Sequence, residues 1–490
     1  MAYWSGNLLK RVVKTLLHAA AGVLVTLVIV FVLYLNGRED LQVWHTAELD
    51  EEFTVDSEVE DFDAYLKLED RLFAQLDQLV YGQTEASDDS SINRFSRGSL
   101  SDPERWSPNW NRSFVLPAAS PGPSVLLIHG LSDSPYSLHN LAERLHSKGA
   151  YVVGLRVPGH GTAPSGLVEV TWQDMAAAVR LAVRYLADIN HGQPIHLVGY
   201  SNGAALAVNY SLSTLDEPGM PRVDSLVLLS PEIGLPKVAA LAVWQARLGH
   251  LLGLDKLAWN ELTPEYDPFK YGSFAVNAGD VSYRITQEIQ RRISELTQKG
   301  LIGGMPPVLA FSSVVDATVL APALVQNFFN RLPSGDHRLV LFDINHMAGL
   351  GPLLRWSPDA MVDALTQNPH PSFTLTVVTN KGDEDGPVRA RHLVSREEKE
   401  GTVERLGLYW PNQVYSLTHV ALPFPPGDPL YGGQPEQASP GIQIGNMAML
   451  GERGVLNISA SDMLRLRWNP FYSYLEGYAL EFMGFEPADQ

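Results

Sequence analysis

From about residue 112 the chain repeats one pattern, a short continuous aliphatic run followed by a helical stretch, and this limits its possible folds more than any other feature. The runs are SVLLIHG at 124–130, AYVVGLRV at 150–157, IHLVGYS at 195–201, DSLVLLS at 224–230, PVLAFSS at 307–313 and HRLVLFD at 337–343. Helical patterns separate the first three, over 137–148 and over 172–188, the latter carrying Met175, Val179, Leu181, Ala182 and Leu186. Strands that are apolar on both faces must be covered on both faces, which predicts a mostly parallel sheet with helices on either side. Sites in such doubly wound α/β domains lie at the carboxyl ends of the strands.

Composition removes other options. With 45% hydrophobic and 19% charged residues the chain is globular rather than disordered, and its 490 residues amount to two or three domains' worth. It has no cysteine, so disulfides, Cys-ligated zinc, iron–sulfur clusters and a thiol nucleophile are all excluded. A net charge of −19 and a pI near 5.1 argue against nucleic acid, whose phosphates need clustered Lys and Arg. The mean hydropathy of −0.05 excludes a polytopic membrane protein but can conceal a single span.

One such span is present. Thr15 to Leu35 is almost wholly apolar, with His18 its one strongly polar member. Its roughly 21 residues suffice to cross a hydrocarbon core of about 30 Å. Lys10, Arg11 and Lys14 precede it, so residues 1–14 are expected in the cytoplasm and the chain after 35 on the far side, periplasmic or extracytoplasmic. A cleaved signal peptide is disfavoured, because no small-residue cleavage pattern follows at Tyr34-Leu35-Asn36-Gly37-Arg38. Residues 36–63 are acid-rich, from Glu48, Asp50, Glu51 and Glu52 to Asp61 and Asp63, and read as a solvated stalk; a docking surface for a basic partner is the alternative. Phe62, Tyr65, Leu66, Phe73, Leu76 and Leu79 then recur at near-helical spacing, predicting an amphipathic helix over about 59–81. Stalk and helix together make up 36–111.

Gly199-Tyr200-Ser201-Asn202-Gly203 fits G-x-S-x-G, with an apolar strand running into Ser201 and a helical stretch, AALAVNYSL, leaving it. The pattern needs glycine at 199 and 203 because the serine sits in a tight, strained turn where side chains would strike the neighbouring strand and helix. That turn raises the hydroxyl above the sheet and aims a helix N-terminus at a developing oxyanion. At this motif the sequence resembles the α/β-hydrolases, in particular their monoacylglycerol lipase-like and bacterial carboxylesterase branch. His129-Gly130-Leu131 and Pro158-Gly159-His160-Gly161, the latter followed by Trp172, match two further segments of that family. The resemblance covers about 112–350. It implies an oxyanion hole made from the backbone N–H groups of Leu131 and Asn202. It also makes His129 a shaper of the oxyanion loop and His160 a turn anchor, rather than a metal pair.

Chain order in this fold is serine, acid, histidine. Asp316 follows the strand PVLAFSS and precedes a helical stretch, the position of the family's acid, where it would hold the imidazole in its working tautomer. Two histidines compete for the base. His346 follows the next strand at the common family spacing; His419 comes later, in Tyr415-Ser416-Leu417-Thr418-His419-Val420. We favour His419, with His346 the alternate. His419 leaves a shorter tail, one closing helix starting near Asn469-Pro470-Phe471-Tyr472, and a Pro-rich loop over 423–432 that could pin the site. On that reading 347–410 is an insertion between acid and base.

The core thus spans 112–234 and 305–490, interrupted by a helical cap at 235–304. The cap is rich in Leu241, Trp244, Leu251, Leu252, Leu257, Trp259, Tyr266, Phe269, Tyr271 and Phe274, most of them expected to be core and some to roof the nucleophile. An apolar roof suits a hydrophobic acyl chain. The expected activity is that of a membrane-anchored serine esterase or lipase. It would cleave small-molecule or lipid carboxylic esters through an acyl-enzyme, with no metal, organic cofactor or nucleic acid. Acyl transfer on the same scaffold and a catalytically inactive anchored interaction protein are the alternatives.

Overall fold

The computed structural model describes residues 2–86, 91–233, 254–316, 321–349, 351–367, 372–382, 386–393, 402–447 and 458–486. The aliphatic runs become strands: β2 (Ser124–Ile128), β3 (Tyr151–Leu155), β4 (Ile195–Tyr200), β5 (Ser225–Leu229), β8 (Val308–Ser313) and β9 (Arg338–Phe342). All six are buried almost throughout, as strands covered on both faces must be. With β1 (Phe114–Leu116), β10 (Thr374–Thr379), β11 (Pro387–Leu393) and β12 (Thr402–Tyr409) they form a ten-stranded sheet, ordered β1-β3-β2-β4-β5-β8-β9-β10-β11-β12. From β3 to β10 every neighbour is parallel, while β1, β11 and β12 pair antiparallel at the two ends. Register pairs Ile128 with Gly199 and Tyr200 with Leu229, so the central strands finish together and their following loops share one edge.

Residues 347–410 differ from the expected insertion. Their described part supplies the helix Asp359–Gln367 and three further strands of the same sheet. Thr374 continues the sheet beside Arg338, since TLTVVT is itself a buried β-branched run. β12 closes that end with an outward face of Val403, Arg405 and Tyr409, and a charged, exposed last strand resists edge-to-edge pairing. The expected closing helix is present as Tyr472–Phe482, which lays Leu475, Ala479 and Leu480 against Val198, Val227 and Phe311 of the sheet.

The acid-rich segment before the sheet packs its apolar residues into the core, while most of its carboxylates stay exposed. Phe53, Phe62, Tyr65 and Leu68 are buried in the main core, and the helix Phe62–Leu79 is capped by Asp61, whose carboxylate accepts the Ala64 N–H. Glu52 of this segment and Glu69 of the helix pair with Arg156, which follows β3 and is itself fully buried. Its guanidinium donates to both oxygens of Glu52 at 2.9 and 3.0 Å, to Glu69 at 3.1 Å and to the His160 carbonyl at 3.0 Å. A buried guanidinium is tolerable only with such partners. Glu52, which resembles a repelling stalk charge, and Glu69 of the helix therefore clamp the Pro158–Gly161 turn, with the Gly159 N–H also donating to Glu52.

In the cap region, residues 235–253, with Leu241, Trp244, Leu251 and Leu252, lie outside the described residues. Beyond them a two-stranded ribbon, β6 (Trp259–Glu261) with β7 (Phe274–Ala275), leads into the helix Val276–Gln298. The aromatic residues here are core. Trp259 and Tyr271 join the main cluster, while Tyr266 and Phe269 pack with Trp106, Tyr136, Phe424 and Tyr431. At the N-terminus, Ala2–Asn36 is one helix whose stretch Lys10–Asn36 is long and apolar enough to span a membrane and buries nothing against the rest of the chain.

Candidate active site

Ser201 ends β4 and caps the helix Asn202–Ser213 with φ 53° and ψ −114°. A non-glycine residue held at positive φ is strained, and such strain persists only where the surroundings enforce it. Here the enforcement is visible. A Cβ on Gly199 would strike Ala204, and one on Gly203 would strike the carbonyls of Ile128 and His129, so helix and strands close in around the serine. The Ser201 N–H donates to Leu229 at 2.9 Å and its carbonyl accepts the Glu232 N–H at 3.2 Å. The side chain stays half-buried at the sheet edge.

Of the two histidines, the fold brings His419 to Asp316. Asp316 follows β8 and is buried; its Oδ1 lies 3.6 Å from His419 Nδ1. His419 opens a short 3-10 turn whose register is set by Leu417, Ala421 and Leu422 in the core and by the Thr418 hydroxyl, which donates to the Leu466 carbonyl at 2.6 Å. Arg465 also reaches the imidazole, with Nη2 3.0 Å from Nδ1 and 3.4 Å from Nε2. A guanidinium only donates, so its closer approach to Nδ1 favours the tautomer with the ring proton on Nε2. Burial pushes the His419 pKa down to about 3, with the charges of Arg465 and Lys270 acting in the same direction.

His346 is engaged elsewhere. Its Nε2 lies 2.8 Å from Asp343 Oδ2, which also accepts the Thr379 hydroxyl at 2.8 Å. Its backbone N–H donates to Asn380, whose amide in turn donates to Asn345, and Asn345 donates to the Val414 carbonyl. These bonds fasten the loop after β9 to the end of β10 and to 414–415. A cavity of about 170 Å³ beside His346 is lined by Ile344, Asn345, Leu354, Ser357, Asp359 and Tyr415.

Leu131 and Asn202 stand where the sequence expected donors. The Leu131 N–H meets no backbone carbonyl among the described residues, and Asn202 opens a helix, whose first N–H groups lack intrahelical acceptors. His129 shapes the loop before Leu131 by donating Nδ1–H to the Gly130 carbonyl at 2.8 Å and accepting the Val157 N–H on Nε2 at 3.0 Å. His160 anchors its turn at the Pro158 carbonyl, 3.0 Å away. The loop 423–432 is pinned by Asp428, which accepts Tyr136 Oη–H, the Asn140 amide and the N–H groups of Leu430 and Tyr431. Among the described residues no group of three or more His, Asp or Glu is placed to hold a metal ion.

Sequence reasoning missed three neighbours of the site. Glu232 is buried beside Asn202 and accepts the Ser282 hydroxyl at 3.2 Å; burial raises its pKa to about 7. A charged residue directly after β5, at the sheet's functional edge, was a signal available in the sequence. Arg465 and Lys270 had no such signal, since both come from irregular segments far along the chain.

The sheet order and the strained serine turn after its central strand are those of the α/β-hydrolase fold. Residues 119–346 match the family model of the serine aminopeptidases, S33. The thermostable monoacylglycerol lipase of Bacillus sp. (strain H-257) is 31% identical over 133 residues, covering 26% of this chain and 50% of that enzyme. The chain therefore spans about half the length of the curated relative it matches. Within the matched stretch this chain is similar to the α/β-hydrolases, and over 133 residues to a monoacylglycerol lipase among them. Among solved structures, the monoacylglycerol lipase of Paleococcus ferrophilus superposes at a TM-score of 0.36 with 20% identity, over 47% of this chain and 88% of that one. A soluble variant of the Saccharomyces cerevisiae monoglyceride lipase, in complex with a substrate analog, gives 0.35 and 18%, over 47% and 82%. At these scores the two add nothing to the sheet already described. The family match contains Ser201, Asp316 and His346 and stops short of His419, so the base must be argued from geometry.

Proposed function

We propose that the protein is a membrane-anchored serine esterase of lipase type, acting on carboxylic esters with a hydrophobic acyl group. The observation that carries this reading is the strained Ser201 turn at a sheet edge where Asp316 and His419 also meet. Ser201 attacks the ester carbonyl as His419 takes its proton; Asp316 holds the imidazole with its proton on Nδ1 and stabilises the imidazolium. The N–H groups of Leu131 and Asn202 bind the oxyanion, each worth about 3 kcal/mol by analogy with other serine hydrolases. The alcohol leaves with the proton from His419, and a water activated by the same imidazole releases the acid from the acyl-enzyme. In this working form Arg465 has released Nδ1, which turns to Asp316. The likeness to a monoacylglycerol lipase supports a lipid ester as substrate, and the apolar N-terminal helix supports a site held close to a membrane, on its extracytoplasmic side.

The test is active-site labelling of the full chain in detergent with a fluorophosphonate probe. Wild type is expected to label and Ser201→Ala to remain unlabelled; a folded wild type that does not label refutes the reading.

A further inference from the structure

The chain carries 55 acidic against 36 basic residues, yet two cations converge on the imidazole of His419. Lys270 is neutralised, 2.7 Å from Asp133 Oδ1. Arg465 is not. Among the described residues no carboxylate lies within salt-bridge distance of it, and the hydrogen bonds of its side chain go to His419 alone. Its neighbour Arg467 shows the ordinary alternative, donating to Tyr266 Oη at 3.0 Å with Asp267 close by.

Arg465 is half-buried and not lost to solvent, and a guanidinium has five donors in a planar fork suited to an oxyanion. Its present partner is a poor one. A cation donating to neutral imidazole forgoes the charge-assisted bond that a carboxylate or phosphate offers. It also occupies the nitrogen that must face Asp316, since His419 Nδ1 lies 3.0 Å from Arg465 but 3.6 Å from Asp316.

We propose that Arg465 is a specificity-determining anion site, selecting esters that carry a carboxylate or phosphate close to the scissile bond. The substrate's anion draws the guanidinium off the imidazole and frees Nδ1 to turn to Asp316. Neutral esters leave Arg465 on the base and are turned over more slowly. This inference rests on the serine-esterase reading for its catalytic consequence and on Arg465 alone for anion binding.

The experiment compares matched esters on the full chain in detergent. Lauroylglycerol 3-phosphate is set against monolauroylglycerol, and p-nitrophenyl monosuccinate against its methyl ester, so that the two pairs separate a phosphate from a carboxylate. In wild type, kcat/KM is expected to favour the anionic member of at least one pair by tenfold or more. Arg465→Gln should reduce that ratio at least tenfold, by losing the anionic ester and gaining on the neutral one, and Arg465→Lys should restore part of it. A residue that merely supports His419 would depress both members alike and leave the ratio unmoved. That result, or a wild type without preference, overturns the proposal. Fluorophosphonate labelling of the same samples reports the esterase reading separately. Calorimetric titration with inorganic phosphate decides anion binding even if labelling fails: equal affinity in wild type and Arg465→Gln refutes the site, and a tenfold weakening supports it.

Discussion

Two His–Asp pairs stand along the same edge of the sheet, and their geometry runs opposite to what distance alone suggests. His346 and Asp343 make the shorter contact, 2.8 Å, whereas His419 and Asp316 are 3.6 Å apart. The short pair is local. Both residues belong to one loop after β9, and their remaining hydrogen bonds reach Thr379 and Asn380 at the end of β10, so the pair is a completed fastening. The long pair joins distant parts of the chain and shares its imidazole with Arg465. His346 uses Nε2, the nitrogen that a triad histidine turns to its serine, on Asp343, and is the worse candidate for that reason. Apo hydrogen bonds at catalytic sites are commonly long and tighten with substrate.

The comparison breaks most cleanly by mutation. His419→Ala is expected to lower kcat on a p-nitrophenyl ester by about 10³-fold or more, while His346→Ala stays within about tenfold of wild type. The reverse order would transfer the base to His346. Next, Asp316→Asn should cost about 10²- to 10⁴-fold in kcat, by allowing the wrong tautomer. Asp343→Asn should instead act on stability, losing about 1–3 kcal/mol in urea unfolding because buried partners lose a charged acceptor. Acid should then separate the two regions. The folded state holds His419 near a pKa of 3 against an ordinary 6.5, so the stability it withholds from the protonated form is intact above pH 6.5 and is lost as pH falls towards 3. His419→Ala is therefore expected to flatten the fall in urea midpoint between pH 6.5 and 4, though buried His45, His160 and His196, each pushed down to about 4, keep some of it. The smallest effect has the opposite sign. Glu232, raised to about 7, costs stability as pH rises from 4.5 through 7, so Glu232→Gln should gain on wild type in urea midpoint at pH 8 and show no gain at pH 4.

Much of the fold could be read from the chain. Each of the six aliphatic runs is a buried strand, and the Gly199 and Gly203 positions behave as their motif demands, because both signals are local. The exceptions are instructive. TLTVVT at 374–379 is as strand-like as the others, but its place after a presumed triad gap disguised it as insertion. Glu52 looks like a stalk charge until Arg156 is folded against it. The same limit applies at the candidate site: the tight turn at Ser201 is legible from five residues, whereas the approach of His419 to Asp316 joins segments about a hundred residues apart.

The sequence by itself determined the class of fold, the nucleophile turn and the carboxylate, since strand pattern and tight-turn glycines are properties of neighbouring residues. Tertiary structure alone decided which histidine meets Asp316, that Arg465 rests on that histidine, and that Glu52 of the acidic segment pairs with a buried arginine. Those are pairings between residues far apart in the chain, and their energies depend on burial and on charges that no local window contains.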